Sequence, residues 1–344
     1  MPSDYGYINA RVKGWHGRLL PAGAFAELAD LPDLPAFLKW MEGGPYAADW
    51  QLARARSDGL DAVELALESN FGAMTARLLA IAEGRPRRLI AVLLRRWDLA
   101  NLKTVVRGIA RDWSGPEILA NVWPAGTFDR VRLKELAEQR SLRGVADVLA
   151  TWRDPFAAPL SDCLPAFERD RDVVPVDLAL DRCHYAAALR ELSGSGANKG
   201  LLREMVRREI DAANAKAVKR LSGGDGAAPG DIGRYLIDGG GTITAAVAAA
   251  LMDPRRRGPQ LRALRGTVYH AYLTGGDPLS DEDELDRSLW SAWARLYRAR
   301  PLAIDVVVGF LWQKYYELVN LRLLARAKNL GLPPARIREQ LFLR

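Results

Sequence analysis

The chain has 344 residues, of which 49% are hydrophobic and 26% charged, and its formal net charge is +7. This composition is typical of a folded globular protein and excludes a disordered chain. Two cysteines and three widely separated histidines exclude a disulfide framework and a Cys- or His-based zinc site. The length suggests about two domains, unless the chain is a repeat array.

The apolar segments argue against a membrane-spanning chain. Residues 1–5 lack the basic-then-apolar order of a signal peptide. The longest apolar stretches, near residues 242–252 and 301–312, are too short for a spanning helix, and the second contains Asp305. We therefore expect a cytoplasmic protein without a membrane span. The mild basic bias permits contact with acidic surfaces but does not by itself indicate nucleic-acid binding.

Helical periodicity runs through nearly the whole chain, and alternating strand-like runs are almost absent. The breaks between the periodic segments are rich in Gly and Pro, and none is long enough to separate freely moving domains. The sequence therefore predicts an all-α fold, with helices over residues 24–42, 60–83, 88–112, 128–153, 176–193, 201–221, 243–252, 260–273, 282–299, 302–328 and 334–342.

One pattern of polar residues occurs three times, with an acid, an Asn, a base and an Arg at relative positions 0, 3, 5 and 9. The three copies are Asp98, Asn101, Lys103 and Arg107; Asp211, Asn214, Lys216 and Arg220; and Glu317, Asn320, Arg322 and Arg326. The acids are separated by 113 and 106 residues. Matched residue types at identical offsets indicate an internal repeat.

Shorter matches accompany the three copies. The tripeptides GTF at 126–128 and GTI at 241–243 follow the first two copies, and a Pro followed by an Ile lies downstream of all three. The repeat changes the domain estimate, because it divides the chain into three similar parts. We expect three related helical units at about residues 1–127, 128–242 and 243–344, forming one compact array.

The four motif positions divide the surface of their helix into two parts. At about 100° per residue the acid and the Asn are neighbours, while the two bases lie together on another side, away from the acid. Apolar residues surround the acid and the Asn in the first and third copies, which predicts burial; the Ala-rich second copy is expected to be less buried.

A buried acid needs partners, because an unpaired buried carboxylate is costly. We therefore expect the three acids to tie neighbouring helices together and the bases to be solvated. The alternative is that some of these charges contact a partner protein.

No motif predicts catalysis or a cofactor. The loop GSGANKG at 194–200 lacks the Gly-Lys-Ser/Thr order of a phosphate-binding loop, and GGG at 239–241 does not follow a strand. The acids at 281–284 are adjacent and precede a helix, which favours helix N-terminal charge over a calcium loop. Arginine clusters at 85–88 and 255–257 could bind phosphate but are more typical of solvated surface. We expect no catalytic, cofactor or metal site.

Several segments resemble the C subunit of archaeal and bacterial V-type ATPases, which corresponds to the d subunit of the eukaryotic complex. The matching segments are YGYINARVK at 5–13, DLANLKT at 98–104, ELVNLR at 317–322, GLP at 331–333 and IRE at 337–339. With the repeat, the resemblance covers essentially the whole chain. Two departures are Trp15, where a Met is common, and the glycine-rich stretch at 222–230.

The resemblance implies three similar helical units arranged as a pseudo-threefold funnel. It implies a non-catalytic central-stalk connector, located peripherally at the cytoplasmic face of the membrane. Its partners would be the rotor axle subunits of the soluble sector and the membrane ring of ion-translocating subunits, with no nucleic acid. The alternative that the residues leave open is a helical repeat scaffold that binds another acidic protein or nucleic acid through its arginine clusters.

Overall fold

The computed structural model describes residues 5–222 and 229–342, without the side chains of residues 229–231 and 278–280. The described residues do not include most of the glycine-rich stretch at 222–230. They also omit residues 1–4, which belong to the segment considered for a signal peptide. Within the described residues the chain forms helices and no strand, which confirms the all-α prediction.

The α-helices in chain order are α1 (Gly6–His16), α2 (Ala22–Asp30), α3 (Leu34–Gly43), α4 (Ala47–Arg54), α5 (Gly59–Ile81), α6 (Gly84–Ala110), α7 (Gly115–Leu119), α8 (Arg130–Ala137), α9 (Leu142–Thr151), α10 (Ala157–Asp170), α11 (Val174–Glu191), α12 (Ala197–Ser222), α13 (Ala245–Met252), α14 (Pro254–Ala263), α15 (Val268–Thr274), α16 (Pro278–Ala294), α17 (Asp305–Asn329) and α18 (Pro334–Gln340). Two 3₁₀ helices, Pro229–Tyr235 and Arg295–Arg298, complete the described elements.

The order of the elements recurs three times after α1. Each time three short helices precede two long ones, and a short helix follows. The long pairs are α5 and α6, α11 and α12, and α16 and α17, with 23 and 27, 18 and 26, and 17 and 25 residues. The second long helix of each pair carries one copy of the polar motif. The predicted unit boundaries fall just before α8 and α13.

Several predicted helices have the wrong limits, because a helix-capping residue within the predicted range starts a new helix. The predicted helix at 24–42 is two helices, since Asp33 accepts the Ala36 N–H and starts α3 anew. The predicted helix at 128–153 breaks in the same way, because Ser141 caps α9. Likewise, the helix predicted at 260–273 is α14 and α15, the second of which is capped by Thr267. Helices α1, α4, α7 and α10 were not predicted.

Contacts divide the chain into two compact units. The first comprises the described residues up to Trp97, then Trp123–Asp129 and those from Ser291 onward. Its centre is α17, which buries residues all round its axis and packs against α1, α3 and α5. Gly309 of α17 lies directly against the backbone of Tyr297, so a Cβ at this position would clash. The close approach therefore requires glycine.

The second compact unit comprises Asp98–Val122 and Arg130–Trp290. Its long helix α12 packs against α11, α13 and α15, while α10 packs between α9 and α11. Buried aliphatic and small side chains fill the α12 face, among them Leu202, Ile210 and Val218. None of the helices formed by the described residues has a stretch both long and apolar enough to cross a bilayer.

Candidate functional site

The acid and the Asn of all three motif copies are buried. Asp98, Asp211 and Glu317 each expose 2% or less of their surface, and the three asparagines are buried as well. The expectation that the second copy is less buried is wrong, because the loop before α13 packs directly over Asp211 and Asn214.

In the second copy the buried polar pair organises the loop before α13. The Asp211 carboxylate accepts the N–H groups of Gly241, Thr242 and Ile243, the last at 2.7 Å. Asn214 accepts the Ile237 N–H at 2.9 Å and donates to the carbonyls of Ile237 and Ile243. These bonds satisfy backbone groups that would otherwise be buried without partners.

The loop lies close because of one glycine. A Cβ at Gly240 would collide with the Asp211 carboxylate, so only glycine permits this approach. Burial raises the pKa of Tyr269, and the nearby negative charge of Asp211 adds to the effect. The Asp211 side chain is thus enclosed between α12 and the backbone N–H groups of the loop.

The third copy is tied to the N-terminal part of the chain. Glu317 accepts the Leu20 N–H and the Tyr46 hydroxyl, each at 2.6 Å, and the Lys314 ammonium at 2.8 Å. Lys314 also donates to the Tyr46 hydroxyl oxygen at 2.7 Å. Burial and the charge of Glu317 raise the pKa of Tyr46 well above its ordinary value, so the hydroxyl keeps the proton it donates.

The other polar residues of the motif also have partners. Asn320 repeats the geometry of Asn214, since it accepts the Phe342 N–H at 2.8 Å and donates to the Phe342 carbonyl. Asp98 and Asn101 of the first copy are buried and have interaction partners. The buried half of the motif therefore has a structural role in the second and third copies, where it anchors segments distant in sequence.

The bases are ion-paired. The expectation that they are solvated is wrong for Lys103, Lys216 and Arg322, whose side chains are largely covered, whereas the other three bases are more than half exposed. In the first copy Lys103 pairs with Asp181 at 2.6 Å and Arg107 with Asp177 at 2.5 Å, both on α11. The Lys103 and Asp181 side chains are only 19% and 21% exposed. Burial raises the pKa of Asp181, and the Lys103 charge partly opposes that shift.

The second and third copies repeat the arrangement. Lys216 contacts Asp286 at 2.9 Å and Arg220 contacts Glu282 at 2.8 Å, both on α16. In the third copy Arg322 and Arg326 both pair with Glu64 on α5. Burial lowers the pKa of Arg322, whose guanidinium also lies 4.1 Å from the centre of the Trp123 ring.

The acids that receive these bases form a second repeated pattern, which the sequence reasoning missed. They lie four residues apart at Asp177 and Asp181, and again at Glu282 and Asp286; Glu64 and Glu68 occupy the same spacing on α5. The first members are separated by 113 and 105 residues, almost the spacing of the motif itself. Searching each repeat for paired acids at matching offsets would have found them.

A charged cleft of about 470 Å³ lies in the second compact unit. Its charged lining comprises four bases and two acids: Lys103, Arg107, Lys216, Arg220, Asp177 and Asp181. Val174 and Tyr235, both substantially exposed, add an apolar edge. The cleft therefore combines the basic sides of two motif copies, and each of its four bases is paired with an acid of α11 or α16.

Reversing Lys103 tests whether the pair with Asp181 stabilises the fold. We expect Lys103→Asp to cost about 2 kcal/mol, because it places a third carboxylate beside Asp177 and Asp181 in a poorly solvated site. The double variant Lys103→Asp/Asp181→Lys should recover at least half of the loss in urea unfolding. Lys134→Glu, at an exposed pair with Glu138, should cost less than about 0.5 kcal/mol. Additive losses in the double variant would contradict the pairing.

No feature of the described residues resembles a catalytic centre. Among them, no group of three or more His, Cys, Asp or Glu side chains could hold a metal ion. The repeated elements instead present long helices whose polar residues bind other segments of the chain and line a charged cleft. Fold and site define an all-helical protein with a recurring polar motif and a charged cleft.

The chain belongs to the ATP synthase (C/AC39) subunit family, whose model matches residues 8–340. It is 28% identical to the C subunit of the A-type ATP synthase of Haloquadratum walsbyi, over 97% of each chain. It is 27% identical to the C subunit of the V-type ATP synthase of Deinococcus radiodurans, over 99% of this chain and 92% of that one. The C subunit of the Haloferax volcanii A-type ATP synthase is 30% identical, over 98% and 97%. The predicted resemblance is confirmed over almost the full length.

Proposed function

We propose that this chain is the non-catalytic central-stalk connector of its ATP synthase, peripheral at the cytoplasmic face of the membrane. In this role it passes torque between the rotor axle of the soluble sector and the membrane ring of ion-translocating subunits. The full-length similarity to proteins named as the C subunit of an ATP synthase supports the assignment to the complex. The repeated charged helices support a role in binding.

The observation that carries the proposal is the cyclic order of the ion pairs. The bases of the first motif copy contact α11 of the second repeat, and those of the second copy contact α16 of the third. The bases of the third copy return to α5 of the first repeat. A pseudo-threefold funnel requires three units linked in this order. The division into three units and the funnel itself remain our prediction.

The charged cleft is our candidate for the axle contact. Its bases belong to two motif copies, and two of its arginines are more than half exposed, Arg107 at 51% and Arg220 at 69%. Arg107 and Arg220 each have N–H groups that face solvent beyond their acid partners. They could therefore bind carboxylates of an acidic axle segment without breaking the intrachain pairs.

Arg107→Glu tests the cleft as the axle contact. We expect the affinity for purified axle subunits to fall at least tenfold at low salt, and less at high salt, because the lost attraction is screened. Arg171→Glu is the matched control: Arg171 is 48% exposed and also pairs with an aspartate, Asp112, but lies outside the cleft. It should change the affinity less than twofold.

Two results would count against these assignments. Unchanged axle affinity in a folded Arg107→Glu variant would remove the cleft as the contact. The connector role has its own test, in which the complex is reassembled without this chain. We expect ATP hydrolysis to continue while ion transport is lost; intact coupling would refute the role.

A further inference from the structure

Helix α14 differs from the helices at the equivalent place in the other two repeats. Helix α3 buries Phe37 and Met41, and α9 buries four side chains against the core. Helix α14 buries none. It is held instead by its N-cap Asp253, by Pro254 in its first turn and by the buried Leu264 that follows it. The third repeat thus keeps a helix here without the apolar face that fixes the other two.

The exposed side of α14 is rich in arginine. Helix α14 and the turn after it carry Arg255, Arg256, Arg257, Arg262 and Arg265. All but Arg257 are exposed, and Arg257 donates to the Leu251 carbonyl. Within the described part of the chain, none of the five forms an ion pair with a carboxylate. Asp253, the acid beside them, accepts the Arg255 backbone N–H as the cap.

Three of these guanidinium groups define what we call the α14 face: Arg255, Arg256 and Arg262. Arg255 and Arg262 are seven residues apart, so they lie on nearly the same side of the helix, about two turns or 10 Å apart. Arg256 widens the charged surface on one flank. Like charges at this spacing repel one another in the free chain, and a partner that supplies carboxylates would relieve the repulsion.

We propose that the α14 face docks an acidic helix or loop of another subunit of the ATP synthase. Carboxylates two helical turns apart on such a segment match Arg255 and Arg262, and each guanidinium can bind a carboxylate in a bidentate manner. A lipid surface fits less well, because this helix has no aromatic side chain and its one long aliphatic side chain, Leu261, is partly covered. The absence of aromatic residues also disfavours single-stranded nucleic acid.

The test uses the intact complex with a photo-crosslinking residue at Gly258 of α14. This position is exposed, and a Cβ there would meet only Arg262 Nη1, at 3.8 Å. We expect crosslinks to an acidic segment of another subunit, and an at least fivefold loss of yield in Arg255→Glu/Arg256→Glu/Arg262→Glu. That variant should fold, since none of the three side chains is buried. The matched control Arg56→Glu/Arg77→Glu/Arg190→Glu changes three other exposed arginines and alters the net charge equally.

The outcomes separate the partners. Crosslinks to lipid or to nucleic acid would overturn the proposal, as would an undiminished yield in the α14 variant or an equal loss in the control. The free chain is also titrated with polyglutamate, and we expect tenfold weaker binding in the α14 variant and no such loss in the control. A parallel titration with anionic vesicles tests the lipid alternative. This inference rests on the proposed membership of the complex and not on the proposed axle contact. The affinity of Arg107→Glu for the axle subunits therefore tests a different proposal.

Discussion

Replacing Glu317 with Ala is expected to lower the free energy of unfolding of the first compact unit by about 3–5 kcal/mol. The carboxylate is the shared acceptor of the Leu20 N–H, the Tyr46 hydroxyl and the Lys314 ammonium. Lys314 is only 8% exposed, so its charge would remain buried without the carboxylate that balances it. Urea unfolding followed by tryptophan fluorescence measures the loss.

Companion variants separate the charge from the hydrogen bonds. Glu317→Ala/Lys314→Met removes both charges and should recover part of the loss, because no ammonium is left without its anion. Tyr46→Phe removes only one hydroxyl and should cost about 1–2 kcal/mol. Glu42→Ala, at a half-exposed pair with Arg54, should cost less than about 1 kcal/mol. A Glu317→Ala variant as stable as Glu42→Ala would refute the role given to the network.

Replacing Asp211 with Ala is expected to cost about 3 kcal/mol or more in the second compact unit. Without the carboxylate, the buried Ile243 N–H and the neighbouring N–H groups of Gly241 and Thr242 lose their acceptor. The loop before α13 would then lose its fixed position on α12. Hydrogen exchange at residues 241–243 should rise first, and urea unfolding should report the global loss.

Two comparisons make this result specific. Asp211→Asn keeps the size of the side chain and one carbonyl oxygen, so it should lose less stability than Asp211→Ala. Asp238→Ala removes an exposed carboxylate from the same loop and should change the stability by less than about 0.5 kcal/mol. If residues 241–243 remained protected in Asp211→Ala, the loop would be held by other contacts.

The sequence by itself determined the class of fold, the repeat and the burial of the acid–Asn pair. These properties are local or periodic: helical spacing places the acid and Asn together within apolar surroundings, and matching offsets reveal the repeat. The burial of Asp211 exceeded the expectation, because the loop that covers it comes from residues 237–243 and approaches closely at Gly240, which the pattern of α12 alone does not reveal. The helix breaks before α3 and α9 were missed, although Asp33 and Ser141 carry the capping chemistry.

Only the tertiary structure decided where the bases and the arginines of α14 are directed. The angular positions of Lys103 and Arg107 on their helix exclude the acid of the same motif, but they do not identify a partner 70 or 78 residues away. For the third copy the partner acid lies 262 residues back along the chain. The arginines of α14 were expected to be solvated surface, and only the structure shows that none of them pairs with a carboxylate among the described residues. The physical reason is that local sequence sets which face of a helix is charged, whereas the packing of distant helices sets what that face meets.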